Sequence, residues 1–227
     1  MGLLSKQWID KYREEGEIVI SPFDSRNLKS TQYDVTLGEH CYREIRSDMT
    51  IYNPFDEEHT RRKWQLDRAI RHGDLVDDGR IPLLKNVGLD EKLILIKPGE
   101  MILGHTEEFI GGASNRITTM MKARSSVGRN GLEICRCAGM GDVGYFQRWT
   151  MEIVNTSGYT IPFPAGRRVA QILFFEVAPV APEDMYALSG KYQTSTSLED
   201  LKASWKPEQM LPKQWRDREC EPHRGAL

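Results

Sequence analysis

From Lys92 onward the chain is built of short apolar or alternating runs broken by turn residues: KLILI, Pro98-Gly99, EMILGHTEEFI, Gly111-Gly112, RITTMMKA, GLEICRCA, WTMEIVN, TSG, YTIPF and AGRRVAQILFFEVAP. Closely spaced runs with Gly and Pro punctuation, and no helix of useful length between them, predict an antiparallel sandwich or barrel. Upstream, Ser5 is placed to cap a short helix whose apolar side is Trp8, Ile9 and Tyr12 and which ends near Gly16. The run EIVIS then reads as a strand. Residues 53–78 are dense in charge, with only a weak helical pattern from Trp64 to Ile70, and read as a solvated surface excursion. After Pro179 the pattern decays into polar sequence, with a short helix suggested by Leu198, Leu201 and Trp205. The pattern predicts a mainly β domain over residues 1–180, including the charged insertion at about 53–78, followed by a tail over 181–227.

At 227 residues the chain is long enough to bury a proper core. Its 31 Lys and Arg nearly balance 33 Asp and Glu, for a net charge of -2. That leaves no global electrostatic footprint for DNA or RNA, so any anion must be gripped locally. No apolar run reaches bilayer-spanning length, and MGLLSKQWIDKYREEGE lacks the apolar stretch of a signal peptide. Lys6 stands where a myristoylation signal needs Ser or Thr. The expected location is the cytoplasm. Cys41, Cys135, Cys137 and Cys220 form neither a disulfide framework nor a zinc ribbon, and read as reduced thiols.

Candidate chemistry lies in the middle of the chain. In KARSSVGRNGL, Arg124, Ser125 and Ser126 fall between a predicted strand and Gly128, where the chain must turn. Hydroxyls, backbone N–H groups and a guanidinium fork converging at a turn suit a di- or triphosphate. On composition alone, a polar turn is the better account. In WTMEIVN the strand period puts Trp149, Met151 and Ile153 on one face and Thr150, Glu152 and Val154 on the other. Glu152 is then a lone acid among apolar neighbours, where burial raises a carboxyl pKa toward that of a working acid/base. An edge-strand Glu reaching solvent fits the strand alone equally well. AGMGDVGYF reads as a glycine-rich hairpin whose backbone could approach a flat ligand, with Asp142 or Tyr145 near a sugar. His105-Thr106-Glu107 matches half of the zinc deaminase signature, but the P-C-x-x-C half is missing, so no zinc site is expected.

In this order the pieces resemble the dCTP deaminase branch of the dUTPase-like superfamily. YDVTLG (Tyr33 to Gly38) is similar to the family's Y-D-[LV]-x-L-G strand, and IKPGEMILGHTEEFI to its P-G-E-x-x-L-x-x-T-x-E stretch. RSSVGRNGL resembles R-S-S-[LV]-[AG]-R-x-G-[LI]. AGMGDVGYFQRWTMEIVN resembles A-x-x-I-D-P-G-[WF]-x-G-x-[IL]-x-L-E-[LF]-x-N. FPAGRRVAQILFFEV and SGKYQ resemble the P-G-x-x-[IV]-[AG]-Q-L-x-F strand and the start of a phosphate-closing tail.

The resemblance implies a distorted jelly-roll or β-clip barrel with a short N-terminal helix and peripheral helical segments, assembled as a homotrimer with shared sites. It implies hydrolytic deamination of dCTP to dUTP and ammonia, with magnesium carried by the triphosphate and no zinc. Arg124, Ser125 and Ser126 would bind phosphate and order water, and Arg129 would steady charge at the pyrimidine. Glu152 would be the general acid/base, Ala138 would offer backbone to the base, and Asp142 would sit by the deoxyribose. Gln171 and Lys191 would reach phosphates. Departures are Gly141 in place of an aliphatic residue, Val143 in place of Pro, Cys135-Arg136-Cys137 with a charge at the base rim, and TSTSLEDL in place of the family's tail closure. Two alternatives accompany this reading. One is a dUTP diphosphatase or bifunctional enzyme sharing R-S-S and the hairpin Asp, although the glycine-rich dUTPase closure is absent. The other is a nucleotide-sensing protein that has lost turnover.

Overall fold

The computed structural model describes residues 2–45 and 48–223. In chain order the first half holds β1 (Gly2–Leu3), α1 (Lys6–Glu14), β2 (Ile18–Ser21), β3 (Gln32–Thr36), β4 (His40–Glu44), α2 (Glu57–Lys63), β5 (Trp64–Arg68), β6 (Ile70–Arg71) and α3 (His72–Asp77). The second half holds β7 (Lys92–Ile96), β8 (Met101–Gly112), β9 (Ile117–Ala123), α4 (Ser125–Arg129), β10 (Leu132–Ile134), β11 (Met140–Gly141), β12 (Phe146–Asn155), β13 (Ile161–Pro164) and β14 (Arg168–Glu176). The tail carries α5 (Tyr186–Ser189), α6 (Leu198–Ser204) and short 3-10 turns, including Pro207–Met210.

Every strand pairing is antiparallel. One sheet runs β1-β14-β9-β11 with β3 also on β14; a second runs β10-β12-β8-β4-β5 with β2 also on β8; a third runs β13-β7-β6. The expected mainly β architecture is present as three sheets around a shared core rather than as a closed barrel. Strand alternation supplies that core: Val35, Ile102, Ile110, Met121, Met151, Ile153, Ile172 and Phe174 are all buried together.

The N-terminal helix forms where expected. Ser5 occupies the capping position, but its backbone carbonyl accepts from Trp8 and Ile9, and its side chain makes no capping bond. Ile9 and Tyr12 are buried, whereas Trp8 is 46% exposed, with the Lys11 ammonium over its ring.

Three expectations change. The insertion is not merely a solvated excursion: α2 is capped by Asp56, which accepts from the Glu58 and His59 N–H groups, and residues 64–68 form a strand on the edge of β4 instead of a helix. Trp64 decides this, because in β5 it is buried against Tyr42, Leu103, Met210 and Leu211. The basic turn closes as α4, a five-residue helix. AGMGDVGYF is not a hairpin. β11 pairs with β9 and β12 pairs with β8, so the turn, with Tyr145 N–H donating to the Asp142 carbonyl, carries the chain from one sheet to the other. No described helix is long and apolar enough to cross a membrane.

Candidate active site

β12 sets the position of Glu152. Arg148 is opposite Phe109 and Thr150 is opposite His105, so β8 places Thr106, Glu107 and Glu108 against Trp149 alone. The Thr106 hydroxyl holds this irregularity together: it accepts from the Trp149 N–H (2.9 Å) and donates to the Glu108 carbonyl (2.7 Å). The two extra residues keep the strand parity, and Trp149, Met151 and Ile153 stay in the core. Glu152 projects from the other face, directly across from Leu103. It lines a cavity of about 450 Å³ together with Ala138, Asp142, Tyr145, Gln147 and Lys191, and with Trp205, Gln209 and Met210 from the tail. Burial pushes the Glu152 carboxyl above its ordinary pKa, and a backbone hydrogen bond only partly opposes this. A carboxyl so placed can hold and return a proton near neutral pH.

The structure gathers four of the expected site residues at this cavity: Glu152, Ala138, Asp142 and Lys191. Lys191 is ion-paired with Asp217. The other five lie elsewhere on the same chain. Ser125, Ser126 and Arg129 are exposed on α4. Arg124 lines a second cavity with Arg26, Lys29, Arg167 and Arg168, where it donates to the Arg168 carbonyl (3.3 Å) and stands 3.6 Å from the buried Asp34 carboxylate. Gln171 sits mid-strand on β14 and accepts from Gln32 (3.2 Å).

The departures from the motif have local causes. A Cβ at Gly141 would stand 2.3 Å from the Thr119 hydroxyl and 2.5 Å from the Trp149 ring. The space that an aliphatic side chain fills in the motif is filled here from the opposite side. Cys135 and Arg136 both take positive φ, at 55° and 22°, turning Cys135 into the core and Arg136 outward. Arg136 pairs with Glu133 at 2.9 Å and does not line this cavity.

Sequence reading passed over Gln147 and Gln209. Gln147 occupies the position that the motif gives to glycine, and that mismatch was visible in the sequence. It is 3% exposed; its Oε1 accepts from the Arg148 N–H (3.0 Å), while its Nε2 has no partner. Gln209 had no such signal, because it reaches the cavity only through tertiary packing. The tail is held down by Leu201 against Phe109 and Phe146, and by Met210 and Leu211 against Tyr42, Trp64 and Leu103. Gln193 fixes the intervening segment by accepting from the Phe146 N–H and donating to the Gly144 carbonyl.

The His105-Thr-Glu107 fragment is engaged otherwise. His105 is fully buried between the Thr106 carbonyl (2.9 Å), the His40 ring and the Trp205 ring (4.7 Å), and burial lowers its pKa to about 4. Glu107 pairs with Arg148 at 2.9 Å.

Residues 3–177 match the family model described as dCTP deaminase-like. The chain is 31% identical over 192 residues to a protein of Methanopyrus kandleri named dCTP deaminase, dUMP-forming, covering 85% of this chain and 91% of that one. It is 29% identical over 199 residues to a protein of the same name from Clostridium botulinum, covering 87% and 94%. In fold it is similar to the crystal structure of 2'-deoxycytidine 5'-triphosphate deaminase from Agrobacterium tumefaciens, with a TM-score of 0.54, 15% identity, and coverage of 78% of this chain and 48% of that chain. With its family segment running from the first strands through β14, and a half-buried acid at the glutamate of the motif, the chain belongs to the dCTP deaminase-like family.

Proposed function

We propose that the protein deaminates dCTP hydrolytically, with Glu152 as general acid/base. The observation that carries the reading is a single carboxyl with a raised pKa, half-buried at a cavity of nucleotide-binding size, on the strand that bears the family's glutamate. Glu152 takes a proton from water as the oxygen bonds to C4 of cytosine. It passes that proton to N3, then takes the proton of the new C4 hydroxyl and delivers it to the amino nitrogen as the C4–N bond breaks, leaving a uracil with its carbonyl at C4 and its proton at N3, and ammonia. Ala138 and Asp142 line the same cavity beside the base and sugar. Lys191 is placed to exchange Asp217 for a phosphate.

Arg124, Ser125, Ser126, Arg129 and Gln171 enter this reading through oligomerisation. None of them lines its own chain's Glu152 cavity, and in this reading a second copy would bring them to it, as in a homotrimer with shared sites. Magnesium in this reading travels with the triphosphate. Among the described residues, no cluster of three or more His, Cys, Asp or Glu side chains is arranged to hold an ion.

A second product is favoured by the names of the relatives, which are dUMP-forming. Cleavage of the diphosphate after deamination would give dUMP and pyrophosphate in place of dUTP. Chromatography of the products from dCTP with magnesium, together with an ammonia assay, tests both steps. Ammonia release is expected, and Glu152→Gln should lower kcat by at least about 100-fold while nucleotide still binds. A near-normal rate in that variant would remove Glu152 from the mechanism, and no ammonia from any cytosine deoxynucleotide would end the deaminase reading.

A further inference from the structure

Among the described residues two cations line the Glu152 cavity, and they are held very differently. Arg148 pairs with Glu107 at 2.9 Å and is clasped between the Phe109 and Trp205 rings, 5.2 Å and 4.7 Å from their centroids. Lys191 has one ionic partner among the described residues, the Asp217 carboxylate. Both residues of this pair lie beyond the segment that matches the family model. Their side chains are 32% and 29% exposed, so water reaches both groups and the pair can open without leaving a bare charge buried.

Asp217 is carried to Lys191 by a strap that stays fastened without it. Met210 and Leu211 are buried on Tyr42, Trp64 and Leu103, and Pro212 lines the cavity. The Lys213 N–H donates to the Tyr192 hydroxyl at 3.0 Å, and the Lys213 ammonium donates to the Lys191 carbonyl at 3.1 Å. The short turn Gln214–Arg216 follows, closed by the Asp217 N–H donating to the Gln214 carbonyl at 3.0 Å. None of these bonds uses the Asp217 carboxylate. A change of rotamer at Asp217 is therefore enough to free the Lys191 ammonium while the strap stays in place.

We infer that Asp217 is a built-in competitor for the phosphate site of Lys191, an autoinhibitory contact that substrate must displace and that helps to expel product. This rests on the deaminase reading above, in which Lys191 reaches a phosphate. In the free protein the carboxylate occupies the ammonium. A nucleotide phosphate carries more negative charge and more acceptor oxygens than a carboxylate, and with base and sugar also bound it takes the ammonium over. The strap keeps Asp217 tethered beside Lys191 throughout, so its effective concentration there stays high and it recaptures the ammonium as the phosphate leaves. Asp217 thus lowers the affinity for any nucleotide whose phosphate meets Lys191, substrate and product alike.

The test measures dissociation constants for dCTP with magnesium by calorimetry in the full-length Glu152→Gln protein, which holds substrate without turning it over. Asp217→Asn keeps the shape of the side chain and removes its charge, and should tighten dCTP about two- to fivefold. The sign is the discriminating readout, because a residue that only fastened the tail would weaken dCTP, or leave it unchanged, when substituted. With Lys191→Gln also present, Asp217→Asn should have no further effect, since the ammonium it competes for is gone. Asp217→Ser carries the same test if the asparagine variant folds poorly. Weaker or unchanged dCTP binding on loss of the Asp217 charge, or equal tightening with and without Lys191, overturns the inference alone if the wild type still releases ammonia. Absence of both dCTP binding and ammonia release would overturn the deaminase reading and this contact with it.

Discussion

The buried pair of titratable groups in the irregular part of β8 makes a quantitative prediction about the scaffold beneath Glu152. Glu108 is 2% exposed and accepts from both the N–H (3.0 Å) and the hydroxyl (3.1 Å) of Thr36, yet burial pushes its pKa up from 4.5 to about 7. The folded state therefore holds the proton more tightly than the unfolded chain. The stability associated with protonated Glu108 is complete below pH 4.5 and is lost as pH rises through about 7. The difference corresponds to about 3 kcal/mol. His105, three residues earlier, has the opposite sign: its pKa falls from 6.5 to about 4, so its stability is present above 6.5 and is lost as pH drops toward 4. The magnitude is again about 3 kcal/mol. Between these limits the two slopes offset each other, and the wild type should show a nearly flat contribution from this segment. Glu108→Gln keeps an amide oxygen for Thr36 and removes the titration, exposing the His105 slope. Urea unfolding followed by tryptophan fluorescence, at one protein concentration and at several pH values from 4.5 to 8, reads this directly. The variant should be close to wild type at the acid end and gain up to about 3 kcal/mol by the alkaline end. Curves that stay parallel across the range would refute the assignment of the buried proton to Glu108.

Two other substitutions probe the packing that shapes the cavity. Gly141→Ile restores the residue class of the family motif but drives its Cβ into Thr119 and Trp149, so stability should fall by about 1–3 kcal/mol by thermal unfolding; an unchanged Tm would mean that Trp149 does not hold that space. Trp64→Ala empties the joint between insertion and tail, which should cost about 3–5 kcal/mol and expose residues 198–216 to limited proteolysis. Cleavage no faster than in the wild type would show that the insertion does not anchor the tail.

The strands from Lys92 to Glu176 were legible because their residues obey the two-residue period and are separated by Gly and Pro, signals that need no tertiary context. The same period placed Glu152 opposite the Trp149, Met151 and Ile153 face. It remained correct beside the irregular stretch because the extra residues lie in β8, and β12 itself alternates without interruption from Trp149 to Ile153. The insertion defeated local reading for the converse reason. The stretch from Trp64 to Ile70 has the spacing of a weak helix, but a free edge on β4 and a hydrophobic slot between Tyr42 and Met210 outweigh so small a propensity. AGMGDVGYF failed similarly: its glycines announce a turn, and nothing in them says that the flanking strands join different sheets.

The tail shows why part of the cavity wall could not be read. Leu198, Leu201 and Trp205 were sufficient to predict α6, and the helix forms, but the period of a helix says nothing about what lies beneath it. Here it lies over Phe109 and Phe146, on the sheet that carries Glu152. The chain then needs only the three residues from Lys206 to Glu208 to bring Gln209 and Met210 to the cavity from the end of Trp205. Insertion and tail consequently form one device. Trp64 packs with Met210, Met210 neighbours Gln209 in the chain, and Glu152 on β12 shares its cavity with side chains from outside the segment matched to the family. A change of substrate preference in this chain is therefore expected to follow from substitutions at residues 205–212 before it follows from substitutions in the R-S-S turn, which meets phosphate and not base in the proposed reading.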